Sequence, residues 1–150
     1  MPAASDAVAL PRTWRPLGPR IAGVVGAVGL AVVLAMLWFG FDAETRSRVN
    51  VWQQGTVVAM YLGGCAVLYS IARSRVEAHG DRLVVVNGYR RHEYDWAQVV
   101  AVRMPSGAPW VTLDLADGTT RPAMGIQGSD GTRARQAVRD LRSILDSTSS

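Results

Sequence analysis

Two stretches without a single charged side chain constrain this chain most: IAGVVGAVGLAVVLAMLWFGF at residues 21–41 and GTVVAMYLGGCAVLYSIA at 55–72. A helix over the first is long enough to cross roughly 30 Å of hydrocarbon, and a helix over the second reaches the short end of that range. In lipid every backbone polar group needs a partner within the segment, which for runs like these means helix. The first run exceeds the roughly 7–15 apolar residues of a signal-peptide core, and Phe41 spoils the small-x-small pattern before Ala43. It reads as a retained transmembrane helix. Trp38, Phe39 and Phe41 end the first run and Trp52 precedes the second, which places aromatics at one interface. Trp14 and Tyr69 suit the other side.

Arginine asymmetry sets the expected orientation. Arg12, Arg15 and Arg20 precede the first run and Arg73 and Arg75 follow the second, against Arg46 and Arg48 in the connecting loop at 42–54. Basic residues favour the cytoplasmic side, so both termini are expected there, in a plasma-membrane protein with two spans and a short external loop. Gly23, Gly26 and Gly29 in the first run and Gly63, Gly64 and Cys65 in the second allow close helix contact, within the hairpin or in a homo-oligomer.

All 16 basic residues are arginine, and the formal charge is +4. That balance suits an anionic membrane surface and lacks the dense basic stripe of a nucleic-acid binder. Cys65 is the only cysteine, so no disulfide can form within the chain. Metal-ligand spacing is absent, and no cofactor motif is present.

Residues 1–20 are Ala-, Pro- and Arg-rich without period and read as a flexible arm. From Arg73 the pattern switches to period two in six short segments: RVEAH, RLVVVN, YRRHEYD, VVAVRM, WVTLDLA and TTRPAMGI. Turn clusters punctuate them, among them Gly80-Asp81, Asn87-Gly88 and Asp117-Gly118. Asn-Gly between apolar runs is the strongest short hairpin signal, because both central positions require a positive φ. After QGSDGT, a helix is expected with Ser129 or Asp130 as its N-cap. Its apolar stripe is Ala134, Ala137, Val138, Leu141, Ile144 and Leu145, opposite Arg133, Arg135, Arg139, Asp140 and Arg142. A tail at 147–150 frays. The expected fold is a membrane α-helical hairpin followed, over 73–146, by a mainly β domain: a small curved antiparallel barrel or sandwich with one C-terminal capping helix.

Two spans, then SRVEAHGDRLVVVNGYRRHEYDWAQV, PWVTLDLADGT and IQGSDGTRARQAV, resemble the bacterial membrane-anchored pleckstrin-homology (PH) domain family. The likeness is nearest to the actinobacterial group named after a low-molecular-weight protein antigen. It implies a PH-like fold closed at one end by the last helix, and it implies no particular ligand.

The hairpin that carries the basic phosphoinositide motif in eukaryotic PH domains reads HGDR here, with Asp81 before Arg82 and no lysine after it. Alternation along the next strand sends Arg90 and His92 to one face and Arg91 to the other, so these side chains cannot share one phosphate. Arg73, Arg75, Arg82, Arg90 and Arg91 are the candidate contacts to an anionic surface; as solvated charges they need no ligand at all. No serine or cysteine sits in a nucleophile elbow, and His92-Glu93 point to opposite faces as strand neighbours. Gly125, Gly128 and Gly131 lack the lysine of a phosphate loop. A non-enzymatic module binding membrane lipids or a protein partner is therefore expected. The alternative is a structural subunit of a larger membrane assembly that acts through its helices.

Overall fold

The computed structural model describes residues 8–148. Helix α1 runs over Gly18–Gly40, α2 over Ala43–Arg48 and α3 over Val51–Ala72. Both long helices are apolar and long enough to cross a membrane. Each starts earlier than its apolar run, for a local reason. Pro19 is preset for the first turn of α1. Asn50 and Gln53 cap α3 reciprocally, each side chain 3.0 Å from the other's backbone nitrogen. The connecting loop is itself helical, because the Asp42 carboxylate accepts from Thr45 N at 2.7 Å and Glu44 pairs with Arg48 one turn on.

Helices α1 and α3 meet where Gly23 lies against Leu68 and where the Tyr61 hydroxyl donates to the Ala27 carbonyl at 3.0 Å. Nothing lies within 4 Å of where Cβ atoms would sit on Gly26, Gly29, Gly63 or Gly64. Of the glycines expected to pack the hairpin, Gly23 does so. Toward α2 the two helices part, leaving an apolar cleft lined by Leu37, Trp38, Phe41, Val57 and Tyr61.

The described residues form seven strands, one more than the period-two segments suggest. Strand β1 is Arg12–Trp14, β2 Arg75–Ala78, β3 Arg82–Asn87, β4 Arg90–Asp95, β5 Val99–Arg103, β6 Trp110–Leu115 and β7 Thr120–Gln127. Four form an antiparallel sheet in the order β1-β2-β3-β4, and β5-β6-β7 form a second. The extra strand comes from the segment expected to be a flexible arm. Trp14 stands opposite Val76 and Arg12 opposite Ala78, so β1 and β2 are the two arms of one hairpin whose connection is the entire helical pair. The domain is therefore not confined to 73–146, because its first strand precedes α1. Residues 1–7 of that arm fall outside the described residues, as do residues 149–150 of the expected tail, whose Ser147 and Thr148 instead extend the last helix.

The two sheets are joined at a corner and are not closed into a barrel. A Cβ on Gly125 of β7 would come within 2.5 Å of Arg75 Cα and Val76 N, so glycine is what lets β7 cross β2. The Asn87 side chain extends the corner, donating to Pro122 O at 2.6 Å and accepting from Met124 N at 2.9 Å. Helix α4, Thr132–Thr148, lays its expected stripe onto the sheets. Leu141 is fully buried there, in a core that includes Leu83, Val85, Trp96, Val111 and Leu113. Asp140 departs from its expected place on the solvated face. It is 7% exposed, with Arg12 2.9 Å from one carboxylate oxygen and Gln136 2.7 Å from the other.

Candidate functional site

The five arginines singled out by sequence do not converge. Arg75 pairs with Glu77, and Arg82 bridges Asp81 at 2.8 Å and Glu93 at 3.2 Å. Arg91 also reaches Glu93, at 2.7 Å. These three form charge ladders on the outer face of the first sheet, over the buried Val84 and Val86. Hydrogen bonds from Arg82 hold the Asp81 carboxyl below its ordinary range, and Arg75, seconded by His79, does the same for Glu77 against the opposing effect of burial. Arginines so matched have little charge to offer a further anion. The network also protects β4, whose outer edge has no neighbouring strand among the described residues.

Arg73 and Arg90 lie elsewhere, at the base of the domain where it meets the helices. The two residues of the β3–β4 turn are Gly88 and Tyr89, not the expected Asn87-Gly88: Asn87 ends β3 opposite Arg90, and of the two expected turn residues only Gly88 takes a positive φ. With φ +60 at Gly88, whose N–H donates to the buried Ser74 hydroxyl at 3.0 Å, the tip lies against the end of α3. Tyr89 then reaches down the helix, its hydroxyl 3.2 Å from the Ala66 carbonyl. The Arg73 guanidinium is 5.2 Å from the Tyr89 ring centre and 5.9 Å from that of Tyr69. Arg90, next along the tip, is exposed and has no carboxylate partner among the described residues. The result is an aromatic and cationic collar beside the last turns of α3.

A second attachment was hidden from sequence reasoning. Asp130 does not cap its own helix, which begins at Thr132; its carboxylate accepts from Leu17 N at 3.0 Å and Gly18 N at 2.7 Å. It thus caps α1, from more than a hundred residues away. The Asp-Gly context at 130–131 marks a cap in sequence, and only the fold tells which helix receives it.

No catalytic grouping emerges among the described residues. His79 lies 3.5 Å from Glu77, while His92 stacks on Tyr94 at 6.3 Å, and Glu93 is taken up by Arg82 and Arg91. No cluster of His, Cys, Asp and Glu among them could hold a metal ion. Gly125 is explained by the strand crossing and Gly128 by its approach to the Ala108 carbonyl.

The sequence profile described as bacterial PH domain matches residues 73–143. An uncharacterized protein of Mycobacterium tuberculosis (strain H37Rv) is 32% identical over 135 residues, covering 88% of this chain and 84% of the relative. An uncharacterized protein of Mycobacterium bovis matches with the same identity and coverage. No solved structure matches the chain. Strands β2 to β7 and most of the closing helix lie in the matched residues, and the likeness to the mycobacterial relatives covers 88% of the chain: the chain belongs to the bacterial PH domain family.

Proposed function

We propose that the chain is a plasma-membrane protein with two spans and cytoplasmic termini, whose PH domain is a non-catalytic module working at the membrane surface. The observation that carries this reading is the Tyr89–Ala66 hydrogen bond. It holds the β3–β4 tip beside α3, which supports a position between hydrocarbon and headgroups, where tyrosine and arginine partition. Arg73 and Arg90 there face an anionic leaflet, where each basic side chain contributes about 1 kcal/mol, fading within a Debye length. The ion-paired Arg75, Arg82 and Arg91 contribute less. A nitroxide at position 89 (Tyr89→Cys with Cys65→Ser), in full-length protein in nanodiscs, is expected to report headgroup depth. A fully aqueous label would overturn this placement.

The structural-subunit reading draws on one specific feature: Gly26, Gly29, Gly63 and Gly64 leave small-residue surfaces open on the helices. Bulky replacements such as Gly63→Leu would then break an assembly seen by native mass spectrometry while leaving the label at position 89 in place.

A further inference from the structure

The Asp130 clamp has a neighbour that none of the contacts above uses. Between β1 and the first turns of α4 lies a cavity of about 310 Å³, lined by Arg12, Arg15, Arg133, Asp130 and Asp140 with Trp14 on one wall. Its size falls at the lower end of small-molecule sites, roughly 300–1,000 Å³. The lining has both signs, but the two carboxylates are committed. Asp130 is held by the Leu17 and Gly18 amides, and Asp140 by Arg12 and Gln136. Arg15 and Arg133 are exposed and have no acidic partner among the described residues. Their convergence follows from the clamp: Arg15 stands two residues before Leu17, and Arg133 three residues after Asp130. With Arg12 answered by Asp140, the cavity retains two uncommitted guanidiniums, each able to grip an oxyanion through two parallel N–H donors.

We infer that this cavity is a phosphate-binding site, and that its phosphate is carried by an anionic phospholipid headgroup. The lipid source rests on the membrane-surface reading above, since the wall residue Arg15 lies three residues before the first residue of α1. The site is distinct from the tyrosine–arginine collar: it is built on β1 and α4, and the collar on α3 and the β3–β4 tip. A ligand there would touch the segment that Asp130 uses to cap α1.

The test uses full-length protein in nanodiscs of phosphatidylcholine with or without phosphatidylglycerol, with retained lipid read by native mass spectrometry. Separately, the detergent-solubilised protein is titrated with inorganic phosphate, followed by phosphorus NMR line broadening. Selective retention of phosphatidylglycerol is expected, weakened about tenfold by Arg15→Gln or Arg133→Gln and lost in the double variant. Arg135→Gln, on the exposed face of α4 and outside the cavity lining, should retain lipid as the parent does. Thermal melts equal to the parent, together with the charge-preserving Arg15→Lys/Arg133→Lys protein, separate lost binding from lost fold. Phosphate broadening that depends on Arg15 and Arg133, without lipid retention, would keep the phosphate site and assign it a soluble ligand. Retention by the double variant equal to the parent, loss that is equal in Arg135→Gln, or no binding in either arm would overturn the site. Because the label at position 89 reports depth by itself, failure here leaves the surface reading separately testable.

Discussion

Asp130 shows how a single carboxylate can bind two parts of a chain together. Its two acceptor oxygens satisfy amides at the start of α1, which have no partner inside the helix. Asp130→Ala should therefore lower the stability of the full-length protein by about 1 kcal/mol, the usual cost of a lost cap. Scanning fluorimetry in detergent would check this, and an unchanged melt would mean that water replaces the clamp at no cost. Gly125 is a stricter case, because a methyl there meets backbone atoms that cannot rotate away. Gly125→Ala is expected to cost several kcal/mol, roughly the scale of severe overpacking or backbone strain, read from the same melts. Glu77 supplies a pH dependence with a definite sign. Its folded-state pKa is lowered from 4.5, chiefly by Arg75 and also by His79. The stabilisation is thus fully present above pH 4.5 and is lost as pH falls through the lower folded value. Glu77→Gln should flatten that part of the acid limb in a plot of melting temperature against pH; an identical acid limb would remove Glu77 from the account.

Among the elements, β1 matters most to the architecture and was the least legible. Three residues cannot display alternation, and Pro11 and Pro16 flanking them mimic a linker. What makes Arg12–Trp14 a strand is tertiary: the β2 edge to pair with, and Asp140 to hold Arg12. Strands β2 and β6 were legible because buried and accessible residues alternate along them, β3 and β4 because a valine run and a glycine turn mark them, and the stripe of α4 was legible at spacings of three and four. Asp140 was misread on that helix, since its partner lies on the strand that went unseen. Removing β1 should consequently damage the domain more than removing both long helices. Arg15 and Arg75 are the next opposed positions beyond the Trp14–Val76 pair, so an Asn-Gly turn can replace residues 16–74. That chain is expected to be a soluble monomer in size-exclusion chromatography. A fragment starting at Arg73 should aggregate through its bare β2 edge; a well-behaved monomer from that fragment would show β1 to be dispensable.

For the whole molecule, the two helices were plain from charge-free length, whereas the attachment of the domain to them was not. Hydropathy is a property of consecutive residues; the Asp130–Gly18 and Tyr89–Ala66 contacts join residues far apart in sequence and carry no local signature. The arginine balance predicts topology independently of those contacts. On a Cys65→Ser background, cysteine at Ser47 should be labelled in intact cells, and cysteine at Ser106 only after the membrane is opened. Labelling of Ser106 in intact cells would reverse the orientation. Placing the helical pair inside a β-hairpin also has a consequence for how the molecule is made. During synthesis β1 leaves the ribosome first, and its partner β2 emerges only after both apolar segments have passed. The first sheet can be completed only when the chain returns to the side on which it started. Under the two-span topology proposed above, a nascent chain whose second segment fails to insert would strand β1 and β2 on opposite sides of the bilayer, leaving β2 with an open edge. Under that topology, folding of the domain itself would proofread integration.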